Sequence, residues 1–203
     1  MDRGPGNPNL KKKSKHPWIC LGKFTGVLRL NLYDVERDTK GEKTSMIHTF
    51  EPVYDKKSKI LILGTFPSVK SRASGFYYQH PQNRFWKVIS ALAGRSTPGT
   101  IEEQKTMLLE NHIAVWDVIY SCDINGSSDS SIKNVVPNDI RSLLNNSDIA
   151  TIYANGGKAD ELYNRYCFES TKKAIVKLPS TSPANASYSL AKLVAHWGQE
   201  IRL

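Results

Sequence analysis

Residues 59–86 read KILILGTFPSVKSRASGFYYQHPQNRFW, and this stretch predicts the fold of the chain. Lys59–Leu63 is a short, continuous apolar run that ends at Gly64, which is typical of a parallel strand buried on both faces. The segment after it brings small residues, aromatic rings, a histidine and an amide. In an α/β fold, ligands bind outside the carboxyl ends of such strands. The stretch therefore predicts a buried strand with a candidate site at its end.

Strands and helices alternate along the rest of the chain. Further strands are predicted at 113–119, 149–154 and 174–178, and helices at 83–93, 101–111, 137–144, 158–166 and 185–201. The segment 122–139 is predicted to be a long polar loop, and Gly156–Gly157 to form a helix-entry turn. The last helix is predicted to bury Leu190, Leu193, Val194, Trp197 and Ile201. This order predicts an α/β fold, a three-layer α/β/α sandwich with a central, largely parallel four-stranded sheet.

The first 45 residues differ in composition from the rest. Residues 1–17 are rich in Gly, Pro, Asn and Lys, and residues 1–45 carry a net charge of +5 of the total +9. We expect residues 1–45 to be a disordered or loosely packed basic extension, and residues 46–203 to form the catalytic domain. A basic chain favours an anionic partner such as nucleic acid, but the body alone is only mildly basic.

Cysteine usage and hydropathy restrict the class of protein. Cys20, Cys122 and Cys167 are widely spaced, so they indicate buried thiols in a reducing compartment rather than a metal site or a cluster. No apolar run approaches the roughly 18 residues of a membrane span. We expect a soluble, cytoplasmic monomer with no membrane partner, no metal and no cofactor.

Two motifs carry the functional signal. GTFPS (64–68), continued by SGFYYQHPQNRFWKV (74–88), follows the first strand, and LPSTSPANAS (178–187) follows the last one. Together they resemble the two signature motifs of the uracil-DNA glycosylase superfamily, closest to its hypoxanthine-DNA glycosylase branch, which acts on deoxyinosine. The run HPQNRFWKV is similar to that of the mismatch-specific uracil glycosylases. The resemblance covers residues 46–203, and it implies this superfamily's fold and a DNA partner.

The resemblance implies that Asn83 is the catalytic residue. The mismatch-specific enzymes have GINPG as their first motif, with an asparagine that positions water, whereas this chain has Phe66 there. In hypoxanthine-type enzymes the essential group is the asparagine of the HPxN run. An amide is no base, but it can orient a water or donate to the departing purine. Asn83 also stands at a predicted helix start, where asparagine is a favoured cap.

The remaining residues of the first motif are candidates for holding a flipped base. Tyr78 is the favoured stacking residue by the resemblance, and Phe66, Phe76 and Tyr77 are the alternatives. Backbone groups near Thr65–Ser68 are expected to read hypoxanthine, and His80 to lie beside the leaving base. The predicted base-binding residues are Gly64, Thr65, Phe66, Pro67, Ser68, Tyr78 and His80.

The second motif is expected to grip DNA rather than to do chemistry. Ser180, Thr181 and Ser182 precede the last predicted helix, where hydroxyls and free backbone N–H groups suit a phosphate. Pro183, Ala184 and Asn185 match the superfamily's loop that presses on the minor-groove side of a lesion. The partner is then single- or double-stranded DNA that contains a deaminated base.

Several alternatives remain open on the sequence. Asp117 is the nearest rival catalyst, although a structural role suits its place at a strand end. Uracil or xanthine are further candidate substrates, as for a mismatch-specific uracil-DNA glycosylase. A non-catalytic lesion binder on the same scaffold is a rival, whereas a small-molecule hydrolase or nucleotide-binding domain would need GxSxG, GxGxxG or GxxxxGK[ST], which are absent. Lys70 is the only lysine near a motif centre, so lyase chemistry is not expected.

Overall fold

A computed structural model of the chain describes residues 45–203. Its strands are β1 (Met46–Ile47), β2 (Ile60–Gly64), β3 (Ile113–Asp117), β4 (Ile119–Asp123), β5 (Lys133–Pro137), β6 (Thr151–Asn155) and β7 (Ile175–Leu178). Its α-helices are α1 (Val69–Ser74), α2 (Phe85–Leu92), α3 (Ile101–Glu110), α4 (Ile140–Asn145), α5 (Gly157–Tyr166), α6 (Phe168–Thr171) and α7 (Leu190–Glu200). A 3-10 helix spans Asp129–Ser131. The predicted basic extension and Cys20 lie outside the described residues, so the domain boundary stays a prediction.

The central sheet is the predicted one. Four parallel strands run in the order β3-β2-β6-β7, with Ile60 paired to Ile113 and to Thr151. Leu61, Ile62 and Leu63 are fully buried in the middle of this sheet. Their continuous apolar run reflects this environment, because helices cover both faces of a parallel sheet.

The two faces of the sheet bury separate cores. One contains Ile62 and Val115 against Phe85 of α2 and Trp197 of α7. The other contains Leu61, Leu63 and Ile152 against Ile140 of α4 and Leu162 of α5. This arrangement confirms the three-layer α/β/α sandwich, and it holds the strand ends rigidly where the site lies.

A second sheet was not predicted. The segment 113–119 was expected to be one strand, but the parallel strand ends at Asp117 and β4 starts at Ile119 in a three-stranded antiparallel sheet, ordered β1-β4-β5. The chain changes sheet at Val118, where the backbone N–H groups of Val118 and Ile119 donate to the carbonyls of Gly64 and Thr65. The prediction of a long polar loop at 122–139 was therefore wrong, because this segment contains β5 and the 3-10 helix.

Two predicted helix starts were also wrong. Pro137 ends strand β5, and α4 begins only at Ile140 after Asp139, whose side chain accepts from the N–H of Ser142. The last helix begins at Leu190 instead of residue 185, because Ser189 provides its cap by accepting from the N–H of Lys192. Leu190 lies in the first turn and is 38% exposed, so it does not belong to the buried stripe. No helix within residues 45–203 is long and apolar enough to cross a membrane.

Candidate active site

A cavity of about 350 Å³ opens at the carboxyl ends of the parallel strands, within the range of small-molecule sites. The two predicted motifs meet there, although they are far apart in sequence. From the predicted residues the cavity wall includes Gly64, Thr65, Phe66, Pro67, Ser68, Tyr78, His80, Asn83, Ser180, Thr181, Ser182, Pro183 and Ala184. Asn185 is the one predicted residue that does not line it. It supports the loop instead, since its Nδ2 donates to the carbonyl of Ser180 at 2.9 Å.

Asn83 presents its nitrogen, not its oxygen, as the free end of the amide. Its Oδ1 accepts from the backbone N–H of Phe85 at 3.0 Å and from the hydroxyl of Thr181 at 3.0 Å. The first of these bonds is the expected local capping interaction at the start of α2. Within the described residues Nδ2 donates to no group, and Asn83 lines the cavity. The side chain therefore offers hydrogen-bond donors to whatever occupies the cavity.

A buried hydrogen-bond chain fixes this orientation. Nδ2 of Asn155 donates to the hydroxyl of Thr181 at 2.9 Å, and the backbone N–H of Thr181 donates to Oδ1 of Asn155 at 2.9 Å. With its oxygen accepting from Asn155, the hydroxyl of Thr181 has its proton free for Asn83. Thr181 was predicted to bind DNA, but it is fully buried, so its side chain faces Asn83 and Asn155 and not the surface.

Asn155 was missed because it reads as an ordinary strand end before Gly156–Gly157. Gly156 does precede α5 directly, as the predicted helix-entry turn requires. The sequence signal that was available is the position of an amide at the carboxyl end of a parallel strand, where ligand-binding residues collect.

Arg84 holds the second motif in place. Its Nε donates to the carbonyl of Thr181 at 3.2 Å and its Nη2 to that of Asn185 at 3.1 Å. The guanidinium also donates to the carbonyls of Ser182 and Tyr188. Because the planar guanidinium binds four carbonyls of the loop at once, it restricts the conformations that the loop can adopt. Ser180–Ser182 lie in this loop, and they precede the last helix as expected, although α7 begins only at Leu190.

The aromatic candidates divide into core and wall. Phe76 is 3% exposed, packs with Trp86 in the core and does not line the cavity, whereas Tyr77 is 2% exposed, packs on Phe50 and also lines the cavity. The ring of Tyr78 stacks on Phe85 with centroids 3.9 Å apart and also lines the cavity. Its backbone φ of 57° is uncommon for a large residue, a form of local strain often found at binding sites. Phe66 lines the cavity but is only 8% exposed.

Asp117, which lines the cavity, forms a buried pair with His48. Nε2 of His48 lies 2.9 Å from Oδ2 of Asp117, and both side chains are almost fully buried. Oδ1 of Asp117 accepts no hydrogen bond within the described residues and faces Gly64, where an added Cβ would lie 2.1 Å from it. Asp117 thus has the structural partner that the sequence suggested, while His48 was missed because it lies outside both motifs.

The first motif also leaves backbone groups free. Within residues 45–203 neither the N–H nor the C=O of Phe66 takes part in a backbone hydrogen bond, whereas the carbonyls of Gly64 and Thr65 accept from β3–β4. His80 lines the cavity, and its Nδ1 accepts from the N–H of Gln82 at 3.2 Å. Phe66 therefore carries one backbone donor and one backbone acceptor that the described residues leave unpaired.

Asp129 is a further side chain that the sequence did not single out. It lies in the segment between β4 and β5, yet it lines the cavity, and Oγ1 of Thr65 donates to its Oδ2 at 3.3 Å. Burial of the carboxylate against this wall raises its pKa above the usual range, with a smaller contribution from Asp117. In the described part of the chain no three His, Cys, Asp or Glu side chains come together to hold a metal ion.

Comparison with known proteins agrees with this geometry. The model of the uracil DNA glycosylase superfamily matches residues 51–199. The chain belongs to this superfamily. A hypoxanthine DNA glycosylase of Methanosarcina acetivorans is 34% identical over 145 residues, which cover 69% of this chain and 89% of that protein. A hypoxanthine DNA glycosylase of Methanosarcina barkeri is 31% identical over 114 residues, which cover 55% of this chain and 72% of that protein.

This chain also resembles a solved structure. It is the solution NMR structure of a candidate uracil DNA glycosylase from Methanosarcina acetivorans, with a TM-score of 0.64 at 31% identity. The match covers 76% of this chain and 98% of that one. Both the predicted superfamily and the predicted fold are therefore confirmed.

Proposed function

We propose that this chain is a monofunctional DNA glycosylase that hydrolyses the N-glycosidic bond of deoxyinosine in DNA, releases hypoxanthine and leaves an abasic site. The observation that carries the proposal is the amide of Asn83, whose oxygen is fixed by Thr181 and Phe85 while its nitrogen, at the cavity wall, has no partner among residues 45–203. Two relatives named hypoxanthine DNA glycosylase support the choice of base.

Asn83 acts through hydrogen bonding and position. Breaking a glycosidic bond passes through an oxocarbenium-like transition state. An amide N–H orients a water by donating to its oxygen. Alternatively, it donates to the departing purine and stabilises the negative charge that develops there as the bond breaks. Because Asn83 is held in place before substrate arrives, this stabilisation needs little reorganisation.

The base reaches the cavity by leaving the DNA stack. Flipping costs about a few kcal/mol and least for a mispaired or damaged base, and stacking on an aromatic side chain returns roughly 1–3 kcal/mol per base. Tyr78 is the proposed stacking residue, supported by its place in the wall on top of Phe85. The free N–H and C=O of Phe66 are proposed to pair with O6 and N1–H, with Gly64–Ser68 and His80 around the base.

The loop of the second motif is proposed to hold the DNA backbone. Pro183 and Ala184 are exposed, and Ser180 and Ser182 are half-buried at the cavity edge. Serine hydroxyls and loop N–H groups position DNA through its phosphates without reading sequence. Asn185 and Thr181 are proposed to support this surface from within, as their hydrogen bonds indicate.

The proposed enzyme is a monomer that acts in the cytoplasm on double- or single-stranded DNA. Within residues 45–203, Cys122 and Cys167 are buried and form no disulfide, which supports a reducing compartment. No amine is proposed to attack the sugar, because Lys70 is exposed on α1 and does not line the cavity. Uracil is the second candidate substrate, supported by the structural relative from Methanosarcina acetivorans.

Alkali-dependent strand cleavage tests the proposal. Duplexes that contain a single deoxyinosine, uracil, xanthine or adenine are incubated with the full chain and then heated in alkali or left untreated. We expect cleavage of the inosine duplex only after alkali, and none of the adenine duplex. Binding to the inosine duplex without any abasic site would instead identify a lesion-binding protein, and cleavage without alkali would identify a lyase.

A further inference from the structure

Asp129 reaches the cavity from a segment that neither motif includes. It begins the short 3-10 helix between the antiparallel strands β4 and β5. Although the residue as a whole is exposed, its carboxylate meets the first motif through Thr65 and lines the same cavity as Asn83. The cavity wall thus includes a carboxyl group that belongs to neither motif.

Several contacts hold this segment against the first motif. The hydroxyl of Ser127 accepts from the backbone N–H of Val69 at 3.0 Å, and the carbonyl of Gly126 accepts from Nη2 of Arg72 at 3.2 Å. With the bond from Thr65 to Asp129, three separate hydrogen bonds join the segment to residues 65–72. The carboxylate is therefore positioned by its surroundings.

The surroundings of Asp129 raise the pKa of its carboxyl group. Burial of the carboxylate is the main cause of its raised pKa, and the hydroxyl of Thr65 opposes it by stabilising the carboxylate. Asp117 at the end of β3 raises the pKa further, and Lys158 on α5 lowers it. Cys122 on β4 is another titratable neighbour. Such a group keeps its proton to a higher pH than an exposed aspartate does.

We propose that Asp129 is the general acid that protonates a purine ring nitrogen of the leaving base, N3 or N7. This inference rests on the proposed excision of hypoxanthine. Asn83 has no acidic proton to give, and hypoxanthine departs more readily as a neutral base than as an anion. A carboxylic acid in the wall of the base cavity supplies that proton.

The step balances without any further reactant. As the bond between C1′ and N9 breaks, its electron pair stays with the base, and the proton of the Asp129 carboxyl moves to the ring nitrogen. Water positioned by Asn83 adds to C1′ and loses a proton to solvent. The carboxylate of Asp129 then takes a proton from solvent, which restores the enzyme.

The test combines Asp129→Asn with deaza substrates in single-turnover reactions on inosine duplexes. Asparagine has the same shape and still accepts from Thr65, so the fold is expected to persist, which a thermal melt checks. Ser130→Ala on the same 3-10 helix is the matched control and should react like the wild type. We expect Asp129→Asn to lose about 100-fold or more in rate, in the range of general acid catalysis.

Removing the proton acceptor from the base should have the same effect as removing the acid. When N3 or N7 of inosine is replaced by carbon, one of the two analogues should react much more slowly with the wild-type enzyme. With Asp129→Asn, the same analogue should react at nearly the rate of inosine. The wild-type rate should also fall as pH rises through the titration of Asp129, and this dependence should vanish in Asp129→Asn.

Two results overturn the inference without touching the proposed function. One is an Asp129→Asn enzyme that excises hypoxanthine at the wild-type rate with the same pH profile. The other is a slow Asp129→Asn enzyme that loses the same factor as the wild type with both deaza analogues, since a structural role predicts additive losses. A wild-type enzyme that never releases hypoxanthine, by contrast, overturns the proposed function itself.

Discussion

The hydroxyl of Thr181 donates a hydrogen bond to the side-chain oxygen of Asn83 at 3.0 Å, across 98 residues of sequence. The bond joins the two motifs at the point where chemistry is proposed. Since Asn155 donates to the same hydroxyl, the direction of this chain of hydrogen bonds is fixed. Asn83 therefore turns its amide nitrogen, and not its oxygen, to the cavity. The orientation of the Asn83 amide thus depends on a buried threonine of the second motif.

Thr181→Val tests that dependence. Valine keeps the shape but leaves Oδ1 of Asn83 and Nδ2 of Asn155 without this partner, so the amide of Asn83 is free to turn. We expect the excision rate to fall by about 10-fold or more and the free energy of unfolding by about 1–3 kcal/mol, the cost of buried groups left unpaired. Single-turnover kinetics and urea denaturation measure the two effects.

Thr181→Ser is the matched control, because serine retains the hydroxyl. It should keep most of the excision rate and lose only the contribution of the methyl group to stability. A valine variant as active as the serine variant would show that Asn83 needs no such support.

Arg84→Met tests how the loop that is proposed to contact DNA is held. Methionine fills similar space but cannot donate to the carbonyls of Thr181, Ser182, Asn185 and Tyr188. We expect a loss of about 2–4 kcal/mol in stability, since hydrogen bonds from charged groups contribute more than neutral ones. Affinity for a duplex with an abasic site, measured by fluorescence anisotropy, should fall as well.

Arg95→Met provides the comparison for Arg84. Arg95 pairs with Glu110 on the surface, where an ion pair contributes little. The substitution Arg95→Met should therefore leave both the free energy of unfolding and the affinity for abasic DNA close to those of the wild type. Equal effects of the two substitutions would mean that charge, and not the anchored loop, governs DNA binding.

Gly64→Ala tests the close packing of the two strand ends. A Cβ there would lie 2.1 Å from Oδ1 of Asp117 and 3.1 Å from the hydroxyl of Tyr78. Because real contacts do not reach 2.1 Å, Asp117 must move, and we expect a destabilisation of about 1–3 kcal/mol, typical of overpacking. In the background of Asp117→Ala the same change should cost clearly less, as a double-mutant cycle of unfolding free energies will reveal.

The sequence predicted the parallel sheet because its strands are uniform apolar runs, and it predicted the cavity because both motifs follow such strands. It did not predict β4 and β5. The strand run continues through Val118 without a break, and only the hydrogen bonds to Gly64 and Thr65 show that the chain turns there into another sheet. Such pairings depend on tertiary contacts that no local pattern encodes.

The site shows the same division. Asn83 and Tyr78 lie within recognisable motifs, whereas Asn155 and Asp129 line the cavity from two other segments, and His48 pairs with Asp117 from a third. Asp129 stands among serines and glycine in a stretch that reads as a polar loop. Its role depends on the docking of that stretch against Thr65 and Arg72, which sequence spacing does not reveal.

The most direct test of the account is the rate at which Asn83→Ala releases hypoxanthine from a deoxyinosine duplex under single-turnover conditions. Gln82→Ala, an exposed neighbour, is the control. We predict a loss of at least roughly a hundredfold in rate, as for the removal of one donor aimed at a transition state, with affinity for abasic DNA little changed. The free energy of unfolding should fall by about 1–3 kcal/mol, because the N–H of Phe85 and the hydroxyl of Thr181 lose their acceptor. An Asn83→Ala enzyme as fast as Gln82→Ala would contradict the central claim and move the catalytic role to another group of the cavity.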